Sequence, residues 1–204
     1  MRSAKFSSSE RGFTLAEVAV ATGMLAAVSL GVAQMFALST AKNLAAKQQV
    51  SATALATQKM EQLRGLTFAY DTEGLGLPVT DTTTNLALCT PDASGTGLNP
   101  SPTQKLVGGS YMSLDTIEEN TAGYVDYLDA HGACVGTGTT PPAGAMFTRR
   151  WAIRPLPTNP NNTLILVVLV TPTWKEAQRV AGNTPRTRLV EDSMLVTVRT
   201  RKAP

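Results

Sequence analysis

The sequence predicts an α+β protein in which one long N-terminal helix packs on an antiparallel β-sheet. Residues 13–64 show one continuous helical pattern, and strand patterns in close succession follow in the second half of the chain. With 204 residues, of which 43% are hydrophobic, the chain has room for one apolar helix and one modest globular domain.

The first half of the predicted helix is apolar enough for a membrane. Residues 18–41 contain no charged side chain, and these 24 residues would span about 36 Å as a helix. The apolar core of a bilayer is about 30 Å thick, so residues 13–41 are predicted to form a transmembrane helix. Glu17 stands at its head, where a carboxylate costs roughly 2.5 to 3.5 kcal/mol and marks a function. No Lys or Arg lies between Glu17 and Lys42 to offset that cost.

The second half of the helix, residues 42–65, is amphipathic. Its apolar side chains recur at spacings of three, four or seven, and Gly65 is a plausible stop. The recurring apolar residues are Ala41, Ala45, Ala52, Leu55, Ala56, Met60 and Leu63. The side chains expected on the polar faces are Lys42, Lys47, Gln48, Lys59 and Arg64. This half is therefore predicted to pack on the globular domain, residues 66–204.

A short motif precedes the helix. Residues 12–17 read Gly-Phe-Thr-Leu-Ala-Glu and follow a leader that contains Arg2, Lys5 and Arg11. This arrangement resembles the type IV pilin and pseudopilin superfamily, although Ala16 is smaller than the bulky aliphatic residue usual there. The resemblance implies that a prepilin peptidase removes residues 1–12 by cutting between Gly12 and Phe13, and that the new amine of Phe13 is methylated. It also implies that Glu17 acts in filament assembly by meeting a neighbouring subunit's N-terminal amine.

Two other interpretations of this end remain. A secretory signal peptide has an apolar region of about 7 to 15 residues. The stretch here is longer and contains Glu17, although residues 39–41 could serve as a cleavage site. A plain signal anchor explains the length but not Glu17. The basic leader favours a cytoplasmic N-terminus, which places everything after Lys42 in the periplasm or outside the cell.

The rest of the chain alternates between loops and strands. Residues 71–110 and 132–144 are rich in Thr, Gly, Pro and Asn, which predicts long surface loops with at most short strands in the first. Four strands are predicted in an antiparallel sheet, at residues 124–128, 147–153, 164–170 and 194–198. In the second strand, Phe147, Trp151 and Ile153 share one face.

Cys89 and Cys134 are the only cysteines, and both fall in the part predicted to be exported. An oxidising compartment favours a disulfide between them, which would close a loop of about 45 residues and add roughly 3 to 5 kcal/mol of stability. The alternative is two unpaired thiols in mobile loops.

The sequence offers little support for catalysis or ligand chemistry. His131 is the only histidine, which excludes sites that need several imidazoles. Asp126, Asp129 and His131 could ligate a metal, but we interpret them as hydrated loop residues. Trp151 and Trp174 lie in strand patterns and are predicted to be core residues. We therefore predict no enzyme, no cofactor and no metal.

The charge pattern also argues against a nucleic-acid partner. The formal net charge is +3, and Lys and Arg are scattered along the chain rather than clustered. The one basic group near the C-terminus consists of Arg199, Arg201 and Lys202. We interpret it as a solvated tail.

Two further patterns narrow the resemblance. The run Lys-Met-Glu-Gln-Leu-Arg at residues 59–64 and Arg150-Trp151 in a strand resemble PilV-type minor pilins and the minor pseudopilins of type II secretion. The resemblance implies a subunit of the inner-membrane complex that starts pilus assembly, found afterwards at or near the pilus tip. Its implied partners are the other minor pilins, the major pilin, the prepilin peptidase, the assembly platform and a tip adhesin. A type II pseudopilin and an uncleaved membrane-anchored binding module remain as alternatives.

Overall fold

The computed structural model describes residues 12–71, 75–87, 89, 95–107, 110–113, 115–181 and 191–202. Residues 1–11 of the predicted leader lie outside the described residues. The chain divides into two compact units, Met1–Leu44 and Ala45–Pro204, and helix α1, Leu15–Gly65, contributes to both. The helix starts two residues after the predicted position and ends on the predicted stop, Gly65.

In the first unit the helix presents apolar side chains to its surroundings along its whole length. Those with large exposed surfaces include Val18, Val20, Met24, Leu25, Val28, Leu30, Val32, Met35, Phe36 and Leu38. This helix is long and apolar enough to cross a membrane. These properties are consistent with a single-pass membrane anchor near the N-terminus.

The second unit is built on an antiparallel sheet of five strands in the order β6-β5-β7-β8-β9. These strands are β5 Val125–Leu128, β6 Cys134–Thr137, β7 Phe147–Pro155, β8 Thr163–Pro172 and β9 Ser193–Thr200. Two small hairpins precede them, β1 Phe68–Tyr70 with β2 Pro78–Thr80, and β3 Gln104–Val107 with β4 Ser110–Ser113. Helix α2, Thr173–Ala181, follows β8 directly.

The C-terminal part of α1 packs on one face of this sheet. Trp151 of β7 and Val168 of β8 are neighbours in register and lie in a core with side chains of the helix. The helix contributes Ala52, Leu55, Ala56, Met60 and Leu63, and the sheet adds Phe147, Ile153, Leu164, Leu166 and Val170. The predicted α+β arrangement of a long helix on an antiparallel sheet is confirmed. It is compatible with a type IV pilin-like fold.

Two elements differ from the sequence prediction. Strand β6 lies inside the predicted loop 132–144, because its backbone pairs with β5 and so needs no apolar alternation of its own. Trp174 was predicted to be a core residue in a strand, but it lies in α2 and is 44% exposed. Pro172 ends β8, and the chain turns into a short helix immediately after it.

Candidate processing segment and buried ion cluster

The predicted cleavage point lies outside regular structure. Gly12, Phe13 and Thr14 precede the first residue of α1, and the Phe13 side chain is 88% exposed. A peptidase therefore needs to unwind no helix to reach the bond between Gly12 and Phe13.

Glu17 makes a reciprocal set of hydrogen bonds with Thr14 at the start of α1. The backbone N–H and the hydroxyl of Thr14 donate to Glu17 Oε2 over 2.9 and 3.0 Å, and the Glu17 N–H donates to Thr14 Oγ1 over 3.2 Å. This is a capping box, which satisfies backbone donors that a helix start leaves without partners. Sequence reasoning missed this role, although a Thr followed three residues later by a Glu is its signature.

Lys59 lies inside the core of the second unit. It was predicted on a polar face of α1, but its side chain is completely buried. Positions 55, 59 and 63 follow one another at helical spacing, so Lys59 occupies the same stripe as Leu55 and Leu63. The prediction was wrong because it placed Lys59 by the usual exposure of lysine and not by its position in the apolar stripe.

Asp126 and Arg149 complete a buried ion cluster with Lys59. Asp126 Oδ2 lies 2.9 Å from Lys59 Nζ, and Arg149 donates two hydrogen bonds of 2.8 Å to the same carboxylate. Asp126 and Arg149 are direct cross-strand neighbours on β5 and β7. Arg149 also donates to the Leu55 carbonyl over 3.2 Å and to Gln58 Oε1 over 3.1 Å, so the cluster ties the sheet to α1. Asp126 is thus a buried strand residue, and its interpretation as a hydrated loop residue was wrong.

The cluster holds two cations for one carboxylate. Lys59 has two further partners, the carbonyl of Leu86 and the ring of Trp151, whose centroid lies 4.2 Å from Nζ. Burial lowers the pKa of Lys59 to about 8, the nearby charge of Arg149 lowers it as well, and Asp126 offsets only part of these effects.

Arg150 forms a separate buried contact on the opposite side of β7. Its Nε donates to Asn120 Oδ1 over 2.9 Å, and its guanidinium pairs with Glu176 of α2. Successive strand residues point to opposite faces. Arg149 therefore binds α1 on one face of β7, and Arg150 binds α2 on the other face.

A disulfide joins Cys89 to Cys134, as the sequence predicts. Their Cα atoms are 5.1 Å apart, within the usual range for such a bond, and 45 residues separate them in sequence. Cys134 is the first residue of β6, so the bond links Cys89, which lies outside the strands, to the sheet.

Asp129 and His131 form a turn after β5. Asp129 Oδ1 accepts the backbone N–H groups of Ala133 and His131 over 2.9 and 2.8 Å. These bonds hold the pKa of the Asp129 carboxyl below its usual value. Among the described residues, no three His, Cys, Asp or Glu side chains are grouped so that they could hold a metal ion.

Arg199 and Arg201 were wrongly interpreted as part of a solvated tail, whereas Lys202 is exposed, as that interpretation expects. Arg199 donates to the carbonyls of Leu63, over 2.9 Å, and Leu66, so it satisfies acceptors at the end of α1. Arg201 donates to the carbonyls of Ala69 and Val79 over 3.0 and 2.9 Å. Arg199 lies in β9 and Arg201 directly follows that strand, and both are partly buried, a placement that a basic composition alone does not reveal.

No protein-family model matches the chain, and neither the curated proteins nor the solved structures give a significant match.

Proposed function

We propose that this protein is a minor pilin of a type IV pilus. It would belong to the inner-membrane complex that primes filament assembly, and it would later lie at or near the pilus tip. The observation that carries the proposal is the segment from Gly12 to Glu17 at the head of a helix long enough to cross a membrane.

The segment supplies what processing and assembly require. Cleavage between Gly12 and Phe13 creates a positively charged amine four residues before Glu17. A carboxylate buried in an apolar filament core needs a cation nearby, and the amine of a neighbouring processed subunit can supply it. The Thr14 capping box holds the Glu17 carboxylate at the N-terminal end of the helix, where such an amine would dock.

Two features of the chain support export. A disulfide suits an oxidising compartment, and an N-terminal membrane helix gives the chain one anchor. We propose a cytoplasmic N-terminus and a periplasmic C-terminal domain before assembly. The partners would be the other minor pilins, the major pilin, the prepilin peptidase, the assembly platform and a tip adhesin. We propose no enzymatic activity, no cofactor and no nucleic-acid partner.

Mass spectrometry of the mature N-terminus tests the proposal. Protein from cells with the prepilin peptidase should begin at N-methylated Phe13, and protein from a peptidase-deficient strain should keep residues 1–12. A bulky residue in place of Gly12 should leave the precursor uncut in the inner membrane. Met1 at the terminus of the wild-type protein would instead identify an uncleaved membrane-anchored module.

A deletion strain distinguishes the two filament systems. Loss of this chain should abolish or reduce surface pili, and the gene in trans should restore them. Normal piliation with defective export of secreted proteins would point to a type II pseudopilin, which shares the same processing.

A further inference from the structure

Residues 81–87 form a segment, here called the strap, that supplies one of the partners of Lys59. The side chains of Leu86 and Ala87 are buried in the main core, and the Leu86 carbonyl accepts a hydrogen bond from Lys59 Nζ. Within the described residues the strap has no ladder pairing with the five-stranded sheet. Its position over Lys59 therefore depends on the burial of Leu86 and Ala87 and on how its two ends are held.

One end of the strap is held by backbone hydrogen bonds. Leu98 N–H donates to the Asp81 carbonyl over 2.7 Å, and the N–H groups of Gly95 and Gly97 donate to the carbonyls of Thr83 and Thr84 over 2.8 and 3.0 Å. Beyond Ala87 the next fixed point among the described residues is Cys89, which is bonded to Cys134. Leu86 and Ala87 thus lie between a hydrogen-bonded end and a covalently attached end.

The partner cysteine belongs to a hairpin that touches the same turn of α1. Cys134 pairs with Leu128 in the β5–β6 ladder, and Leu128 lies in the core. In the turn of this hairpin, Gly132 has a φ of +80°, and a Cβ there would lie 2.9 Å from Leu55 Cδ2. The disulfide therefore connects two segments that flank the helical turn from Leu55 to Lys59.

Because the cluster contains buried charges, the connection through the disulfide affects the environment of Lys59. Among the described residues, Lys59 and Arg149 share one carboxylate, that of Asp126, so two cations face a single acid. A buried charge is tolerated only when polar partners replace its water. The Leu86 carbonyl is such a partner, and a strap that moves away exposes the ammonium to solvent.

We infer that the Cys89–Cys134 disulfide is a redox latch that controls whether Lys59 is buried. In the oxidised protein the strap is closed over Lys59 and residues 52–63 of α1 are held on the sheet. In the dithiol protein the strap is released at Cys89, water reaches Lys59, and that part of the helix is held less firmly. Closure requires the two thiols to lose two protons and two electrons to a disulfide oxidant, which is reduced to a dithiol. The inference stands independently of the proposed function.

Coupling of this kind is reciprocal. If the disulfide favours the buried state of Lys59, then burial of Lys59 favours the disulfide to the same extent. The domain would close fully only in an oxidising compartment.

Lysine labelling on the full chain in detergent micelles tests the latch. The protein is treated with an acetylating reagent in its oxidised form and after reduction with a phosphine, and modification is read by peptide mass spectrometry. Lys47, which is exposed, serves as the internal standard. Reduction should raise the labelling rate of Lys59 relative to Lys47 on the order of tenfold, the effect of losing one hydrogen bond to a charged group.

The double variant Cys89→Ser with Cys134→Ser should show the fast rate without reductant. Amide exchange of β7 and β8 is measured on the same samples, and it should stay slow because the latch opens only locally. An unchanged ratio of Lys59 to Lys47 labelling in the reduced protein would overturn the inference. Loss of amide protection across β7 and β8 on reduction would overturn it equally, since that result means global unfolding rather than release of the strap.

Discussion

Lys59 of α1 and Asp126 of β5 form an ion pair of 2.9 Å in which both side chains are completely buried. The pair joins the long helix to the sheet, and Arg149 binds the same carboxylate through two hydrogen bonds. A buried pair of this kind adds little net stability, because the cost of removing both charges from water offsets their attraction. It fixes the rotation of α1 about its axis because only one position of the stripe places an amine at Asp126.

Replacing Asp126, the acid that Lys59 and Arg149 share, should strongly lower the stability of the protein. Asp126→Asn leaves Lys59 and Arg149 buried without a counter-charge, so the free energy of unfolding should fall by about 3 to 5 kcal/mol. Denaturant unfolding of the full chain in detergent, followed by tryptophan fluorescence, measures the change. Glu61→Gln is the matched control, since it removes an exposed acid whose pair with Arg64 should contribute less than about 1 kcal/mol. Equal effects of the two substitutions would contradict the importance of the buried cluster.

Removing the cation should be much milder than removing the acid. Lys59→Met keeps the length of the side chain, deletes the surplus charge and leaves Asp126 paired with Arg149. We expect the free energy of unfolding at pH 7 to be unchanged or higher, because burying the ammonium carries a large desolvation penalty. The same unfolding assay reports it, with the exposed Lys47→Met as control. A loss as large as that of Asp126→Asn would show that the ammonium, not the carboxylate, holds the cluster together.

The stability of the wild-type protein should rise with pH where Lys59 titrates. Its pKa is about 8 in the folded protein against 10.5 ordinarily, so between these values the unfolded chain binds more protons than the folded one. Stability increases with pH wherever the unfolded state binds more protons. From pH 8 to pH 10 the free energy of unfolding of the wild type should therefore increase relative to that of Lys59→Met. Because both proteins contain Tyr127, whose pKa burial raises to about 12, its contribution cancels in the comparison. A difference that is independent of pH would contradict the lowered pKa.

Arg199 should stabilise the C-terminal end of α1. Arg199→Ala deletes the donors to the carbonyls of Leu63 and Leu66, at an expected loss of about 1 to 3 kcal/mol. Backbone amides in the last turn of α1 should exchange faster, as measured by hydrogen–deuterium exchange. Lys202→Ala removes an exposed cation three residues away and should leave exchange in that turn unchanged. Identical exchange in both variants would show that Arg199 is dispensable for the helix end.

Glu17 can be tested for charge and for capping separately. Glu17→Gln keeps an oxygen for the Thr14 capping box but loses the negative charge, whereas Glu17→Leu loses both. If the carboxylate pairs with a neighbour's amine, both variants should insert and be cleaved but fail to enter the filament complex. Co-purification with the other minor subunits and counts of surface pili measure assembly. Assembly of the Gln variant at the wild-type level would assign Glu17 to helix capping alone.

The sequence pattern predicted the structure correctly where a single physical requirement acts on a whole segment. A helix that crosses a membrane must be apolar, and the absence of charges in residues 18–41 predicted this part of α1. In residues 147–153 the alternation of side chains predicted that Phe147, Trp151 and Ile153 share one face, which is buried. The burial of Lys59, Asp126 and Arg149 was not predicted, because each of these residue types is usually exposed. Arg149 nevertheless lies on the same strand face as Trp151, and Lys59 lies in the apolar stripe, so position held information that residue type obscured.

The sequence by itself determined the long helix, the four main strands, the single membrane-length segment and the motif at its head, because each depends on local spacing along the chain. Only the tertiary structure decided which charges are buried. Asp126 and Lys59 are 67 residues apart, and a buried ion pair forms only when folding brings both into one water-free space. The same holds for Arg199 at the end of α1, whose acceptors are backbone carbonyls and leave no trace in the amino-acid pattern.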